Sequence, residues 1–183
     1  MKGLWYLHSE RCIVHRDIKL DNILLKSNPK DKMKPFVKLA DLGVAKMIIS
    51  EDEIPQTTCG TPEMMAPEIG TQGGRGYTYK CDLYSLGVTL YMMITHGFSA
   101  GSWQQKIALN KIYNEWPYFV EEIWKDYGGL KDFVSHLLDM DVDERYGWPQ
   151  IFRDDYVVEI MGNEAFEMRD FSKLKNISYK KWK

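Results

Sequence analysis

Cysteine is scarce in this chain of 183 residues: there are three, Cys12, Cys59 and Cys81, and no C-x-x-C pair. An odd number without paired spacing argues against a disulfide framework and a cysteine-type zinc site. It fits a reducing compartment, cytoplasm or nucleus. Charge of one sign is also missing, with 24 basic against 26 acidic residues and a net charge of -2. At the level of the whole chain nothing calls for nucleic acid or a membrane surface as partner. Long hydrophobic runs are absent too. The longest, Leu83 to Ile94, is too short to span a bilayer and reads as a buried helix, so no membrane span is expected. Met1-Lys2-Gly3 leads into a short amphipathic run, so no signal peptide is expected. The four histidines, His8, His15, His96 and His136, show no H-E-x-x-H spacing, which leaves a metallohydrolase reading with little support. There is no internal repeat and no low-complexity tract.

What is present suits one soluble domain, with 44% apolar and 27% charged residues. Leu4, Trp5, Leu7 and His8 fall on one helical face. No Ser, Thr, Asp or Asn caps that helix, as expected if the chain opens partway through an element. Ile23-Leu24-Leu25 and Phe36-Val37-Lys38-Leu39 read as short strands, joined by a polar stretch with Asn28-Pro29 as turn chemistry. An irregular segment runs from about Ile48 to Gly76, with Pro55, Pro62 and Pro67 and a glycine patch at Gly70, Gly73, Gly74 and Gly76. Asp82 to about Thr95 is apolar on nearly every side and reads as a buried helix. Leu130, Phe133, Val134, Leu137 and Leu138 repeat with helical period and predict an amphipathic helix. The end is basic, with Lys173, Lys175, Lys180, Lys181 and Lys183. It lacks a clear apolar face and reads as a solvated tail.

The residues that carry chemistry stand in a fixed order. His15-Arg16-Asp17-Ile18-Lys19-Leu20-Asp21-Asn22 comes first. Asp41-Leu42-Gly43, Gly60-Thr61-Pro62-Glu63 and Ala66-Pro67-Glu68 follow. A lone Asp or Asn in a loop is usually a turn former. One such tetrapeptide would be weak; three in order and spacing are not. On these motifs the chain resembles the eukaryotic Ser/Thr protein kinases.

The resemblance covers nearly all of the chain, but only the C-terminal lobe of that fold. It implies a kinase-like fold, C-lobe only, mainly α with a small β hairpin and a long activation segment. Residues 1–160 would be the C-lobe of the catalytic domain, from the family's helix αE to helix αI, and 161–183 a basic C-terminal extension. Only sixteen residues precede Asp17. Among them there is no G-x-G-x-x-G and no candidate for the family's strand lysine, so the N-terminal lobe is expected to be absent from this chain.

The resemblance also implies roles. The cofactors would be ATP and Mg²⁺. Asp17 would accept the proton of the substrate hydroxyl, and Lys19 would neutralise charge on the moving phosphoryl group. In an extended loop residues two apart point the same way, which would aim both at one spot. Asn22 and Asp41 would supply oxygen ligands to Mg²⁺, an oxygen-seeking ion. Leu24 would lie beneath the adenine ring and Asp21 near the ribose. Gly43 would let the chain turn sharply after Asp41. Thr61 would hydrogen-bond to Asp17 and Lys19 and position the substrate. It and Lys19 point to Ser/Thr specificity. Arg16 beside Asp17 suggests control by activation-loop phosphorylation, with Thr57 the first candidate and Thr58 the second. His15 would be structural, packed under the Asp41 segment. Glu68 would pair with Arg145, and Asp82 would bind the backbone of the catalytic loop. The chain departs from the family at Leu42, usually Phe, and Tyr84, usually Trp.

Partners would be a protein substrate with a Ser or Thr target and, for activation-loop phosphorylation, an upstream kinase. Gly60-Thr61-Pro62-Glu63 resembles the basic-directed and calmodulin-dependent groups more than the proline-directed ones. With half of the nucleotide pocket lacking, weak ATP binding and little phosphoryl transfer are expected from the chain alone. A truncated, catalytically inactive lobe that serves as a protein-binding module is the alternative.

Overall fold

The computed structural model describes residues 1–48, 55, 57–70, 76–95, 117 and 119–162. Helix α1 spans Lys2–Glu10 and buries Leu4, Trp5, His8 and Ser9. Its Met1 cap makes no side-chain hydrogen bond, as the missing cap signal predicts. Trp5 of this helix meets Trp148 edge-on at 5.3 Å and Phe152 at 5.2 Å, which joins the start of the described chain to its last helices.

Strand β1 (Ile13–Val14) follows, then a 3₁₀ turn (Leu20–Asn22), β2 (Ile23–Lys26), β3 (Phe36–Leu39) and β4 (Lys46–Met47). β2 and β3 form the expected hairpin, antiparallel, with Ile23 opposite Leu39 and Lys26 opposite Phe36. The turn chemistry sits at Asn28, whose side chain accepts from Lys30 N at 3.0 Å and donates to Lys34 O at 2.9 Å. β1 and β4 form a second antiparallel pair, Ile13 with Met47 and Val14 with Lys46. Two residues are too few for any alternation to show in the sequence.

Helix α2 (Pro67–Gly70) falls inside the segment read as irregular, next to a turn where Met64 N donates to Thr61 O at 3.0 Å. Helix α3 spans Lys80–Ile94 and is the central element. Its polar residues bond partly within the helix and partly to neighbouring segments. Thr89 and Thr95 hydroxyls donate to the carbonyls of Ser85 and Tyr91 at 2.8 and 2.9 Å. Ser85 donates to Met64 O at 2.8 Å and so ties the preceding segment to the core.

Short α4 (Glu121–Trp124) leads to α5 (Gly128–Leu137), where Phe133, Val134 and Leu137 are buried. α5 lies close against α3 at Gly87. A Cβ there would sit 2.8 Å from Leu137 Cβ, so only glycine allows this approach. α6 (Trp148–Ile151) and α7 (Asp155–Met161) close the described fold. α7 is capped by Asp154, which accepts from Val157 N at 3.3 Å. Among the described residues no helix is long and apolar enough to cross a membrane. The basic tail beyond Gly162, and Gly73, Gly74 and His96, lie outside the described residues.

Candidate active site

Between β1 and the 3₁₀ turn the chain runs through Asp17 and Lys19. Lys19 is fully extended, with φ -160° and ψ 168°. Its ammonium lies 2.9 Å from Asp17 Oδ2, as expected for residues two apart on such a stretch. Four donors meet the Asp17 carboxylate. Oδ1 accepts from the Thr61 hydroxyl at 2.7 Å and from Thr61 N at 3.0 Å. Oδ2 accepts from Lys19 and from Asn22 Nδ2, the latter at 3.0 Å. Lys19 also donates to Thr61 Oγ at 2.9 Å. The three side chains thus close a ring that links motifs more than forty residues apart.

The side chains of Asp17 and Lys19 keep 12% and 25% of their surface exposed, so the ring is reachable from solvent. Burial alone would raise the Asp17 pKa. The bonds from Thr61, Lys19 and Asn22 outweigh it and hold the carboxyl below its ordinary 3.8. The Asp17 bond likewise raises Lys19 against the effect of burial, helped by the charges of Asp21 and Asp41.

The loop is anchored from below. Asp82 on α3 accepts from His15 N and Arg16 N, both at 2.7 Å. It also accepts from His8 Nε2 on α1 at 2.8 Å. His15 Nε2 donates to Ala40 O at 3.0 Å, just before Asp41, and Ala40 N donates to Asn22 O at 2.9 Å. These bonds fix the Asp41 segment against the loop. No hydrogen bond joins Asn22 to Asp41 directly, and both keep oxygen for a cation. Asn22 Nδ2 is spent on Asp17, which leaves its Oδ1 without a protein donor among the described residues. Asp41 is exposed, with Oδ1 accepting from Gly43 N at 3.0 Å. No group of three or more His, Cys, Asp or Glu surrounds one point among the described residues. One carboxylate and one amide oxygen fit Mg²⁺, which usually keeps waters and phosphate oxygens in its shell.

The sharp turn at this segment is made differently from expectation. Asp41 itself adopts the left-handed conformation, φ 61°, and Gly43 does not. Gly43 lies close to the Asp41 side chain: a Cβ there would sit 2.9 Å from Asp41 Oδ1 unless that carboxylate turned aside. Arg16 is left-handed as well, φ 70°. Such backbone in a non-glycine residue is uncommon and costly, and it gathers at functional sites. Gly60, φ 103°, passes so near the loop that a Cβ would come 2.3 Å from Arg16 O.

The remaining candidates separate into two groups. Asp21 and Leu24 lie on the open side of the turn and hairpin, with Leu24 53% and its neighbour Leu25 68% exposed. Thr57 and Thr58 are exposed on the later segment. Arg16 Nη1 reaches Thr57 Oγ at 3.4 Å and the Tyr77 hydroxyl at 3.0 Å, while Tyr77 donates to Thr57 O at 2.8 Å. Burial and the Cys59 thiol beside it push the Tyr77 phenol up to about 12. Glu68 and Arg145 meet in a two-pronged pair at 2.7 and 2.9 Å. The Arg145 guanidinium also stacks over Tyr84 at 4.8 Å.

The sequence pattern of the protein kinase domain family matches residues 1–157. The chain belongs to the protein kinase family. Similar proteins include the DNA damage response protein kinase DUN1 of Saccharomyces cerevisiae, 38% identical over 162 residues, which are 80% of this chain and 31% of that protein. The meiosis-specific serine/threonine-protein kinase MEK1 of the same yeast is 32% identical, over 99% of this chain and 37% of its own length. Ribosomal protein S6 kinase alpha-6 of Mus musculus is 35% identical over 84% of this chain and 20% of its own. The chain therefore spans little more than a third, or less, of each of these kinases.

Two residues that bond to the flanks of this cluster escaped the sequence reading. Tyr77 holds Arg16 beside Thr57, and Trp148 donates to His8 Nδ1 at 3.0 Å behind Asp82. No motif marks either; both are read only from contacts between distant parts of the chain.

Proposed function

We propose that residues 1–160 form the C-lobe of a protein serine/threonine kinase catalytic domain, which transfers the ATP γ-phosphoryl group to Ser or Thr of protein substrates. Residues 161–183 would be a basic extension. The observation that carries this reading is the ring of Asp17, Lys19 and Thr61.

Phosphoryl transfer has a loose transition state, so positioning and charge neutralisation do most of the work. Asp17 aims the substrate hydroxyl and takes its proton. Its lowered pKa makes it a weak base, suited to orienting the hydroxyl first and accepting the proton late. Lys19, raised and ionised, faces the charge that develops on the phosphoryl oxygens. Thr61 keeps the two in register and marks where the acceptor residue arrives. Asn22 and Asp41 would hold Mg²⁺, which supplies neutralisation of the phosphate oxygens when bound. Leu24, with the exposed hairpin around it, offers an apolar floor for adenine, and Asp21 stands near the ribose. The rest of the nucleotide site would come from the other lobe of a kinase fold, so activity of this chain by itself is expected to be low.

Regulation would run through Thr57. A phosphate there adds roughly -1.5 to -2 charge beside Arg16, which already reaches the hydroxyl. Thr58 is the second choice. An upstream kinase would then be a partner, and the free cysteines support a cytoplasmic or nuclear setting.

The first test is calorimetric titration of the 183-residue chain with Mg²⁺–ATP, beside Asp41→Ala. Binding that the substitution abolishes is the expected result. Binding that survives in Asp41→Ala would remove Asp41 from the metal role. A folded chain without binding would favour the alternative of a protein-binding module.

A further inference from the structure

Through the backbone of His15 and Arg16 the loop meets a second polar chain that the transfer chemistry does not use. Trp148 Nε1 lies 3.0 Å from His8 Nδ1, across 140 positions of sequence. His8 Nε2 lies 2.8 Å from Asp82 Oδ2. All three side chains are fully buried. An indole N–H can only donate, so His8 Nδ1 must present its lone pair. The ring proton therefore sits on Nε2 and points at Asp82. The same carboxylate accepts the backbone N–H groups of His15 and Arg16.

The other His8 tautomer would fail at both ends. Nδ1–H would face the indole N–H, and the Nε2 lone pair would face the carboxylate. Two buried donors would lose their acceptor, and Asp82 would lose one of the bonds that hold its rotation. A free carboxylate could turn away from His15 N and Arg16 N, the two groups that set where Asp17 begins. We propose that Trp148 is a positioning residue for the catalytic loop, acting by locking the His8 tautomer that donates to Asp82. The proposal deepens the kinase reading, but its readouts use no nucleotide. Loss of ATP binding would sink that reading and leave the relay standing.

The test starts with the unmodified chain. Nitrogen-15 spectra of the histidine rings should show His8 with Nε2 protonated and Nδ1 bare at neutral pH. A protonated Nδ1 would overturn the proposal without any variant. Trp148→Phe then removes the donor while keeping an aromatic ring against Trp5 and Phe152. In that variant His8 should become a mixture of tautomers. The amides of His15 and Arg16 should exchange with solvent roughly tenfold faster, about 1.4 kcal/mol, in line with one hydrogen bond. The amide of Leu138, bonded to Val134 O within the helical core, is the control and should change less. Equal acceleration of all three amides would mean that Trp148 only packs, and the idea falls. It falls as well if His15 and Arg16 stay protected. Should Trp148→Phe not fold, the His8 spectrum of the unmodified chain decides alone.

Discussion

Replacing Glu68 with alanine strands the Arg145 guanidinium inside the protein. The arginine side chain is fully buried and Glu68 is 14% exposed. Arg145 keeps bonds to the carbonyls of Asp139 and Lys80, at 2.9 and 3.1 Å, and its stack on Tyr84. It loses both charged acceptors. Removing one partner of a buried pair costs ~3–5 kcal/mol. The partial exposure of Glu68 lets water reach the gap, which favours the low end, about 3 kcal/mol. For a domain of this size each kcal/mol lowers Tm by about 2–4 °C, so the expected drop is ~6–12 °C. Thermal unfolding followed by circular dichroism reads this directly, with urea titration as a check on two-state behaviour. Glu68→Gln should fall between, because one neutral acceptor remains. The double variant Glu68→Leu with Arg145→Met should recover much of the loss, since apolar isosteres often replace a buried ion pair at little cost. A drop equivalent to less than ~1 kcal/mol for Glu68→Ala would place the pair among exposed surface bridges and refute this reasoning.

Three further outcomes are expected. Asp17→Asn, in a kinase with both lobes, should keep nucleotide binding and lower the phosphoryl-transfer rate by roughly 10²–10⁴, the range of a positioned general base; an unchanged rate in a radiolabel transfer assay would remove Asp17 from that role. The Tyr77 phenol rises from 10.0 to about 12 on folding, so its stabilising contribution is complete below pH 10 and is lost as pH rises toward about 12; ultraviolet titration should show a late-ionising tyrosine component, to which Tyr146 also contributes, that Tyr77→Phe diminishes by one residue. Gly87→Ala should cost roughly 1–3 kcal/mol by overpacking against Leu137, whereas Gly128→Ala, with nothing within 4 Å of its Cβ, should be neutral or mildly stabilising in the same melts.

Much of the fold was legible because strong local signals marked it. The apolar run gave α3, the helical-period spacing gave α5, and the short stretches Ile23-Leu24-Leu25 and Phe36-Val37-Lys38-Leu39 gave the β2–β3 hairpin. The site was legible where motifs hold its residues: Asp17, Lys19 and Thr61 meet as the resemblance implies, and Glu68 meets Arg145. The β1–β4 pair was not, because Ile13 and Val14 find Met47 and Lys46 only through tertiary folding. Trp148 stands in none of the motifs, and its bond to His8 spans 140 positions of sequence that no local signal connects. At the Asp41 turn, glycine chemistry pointed to Gly43, but the strained residue is Asp41. Propensity assigns a left-handed turn to the residue that adopts it most cheaply. Here hydrogen bonds to Ala40 and to Gly43 N hold the residues on either side and leave the turn to Asp41.

Cys12, Arg16 and Asp41 all hold left-handed backbone, and all lie in or beside the loop that carries Asp17. Each such residue costs of order 1–3 kcal/mol that a glycine would not. Arg16→Gly and Asp41→Gly would relieve that backbone strain, and would erase the Arg16 bonds to Val44, Thr57 and Tyr77 and the carboxylate proposed for Mg²⁺ as they did so. Selection for a sturdier protein and selection for a working kinase pull on the same few dihedral angles. Engineering of this chain is safer if it leaves residues 12–17 and 41–43 alone and looks for stability on its helical surface.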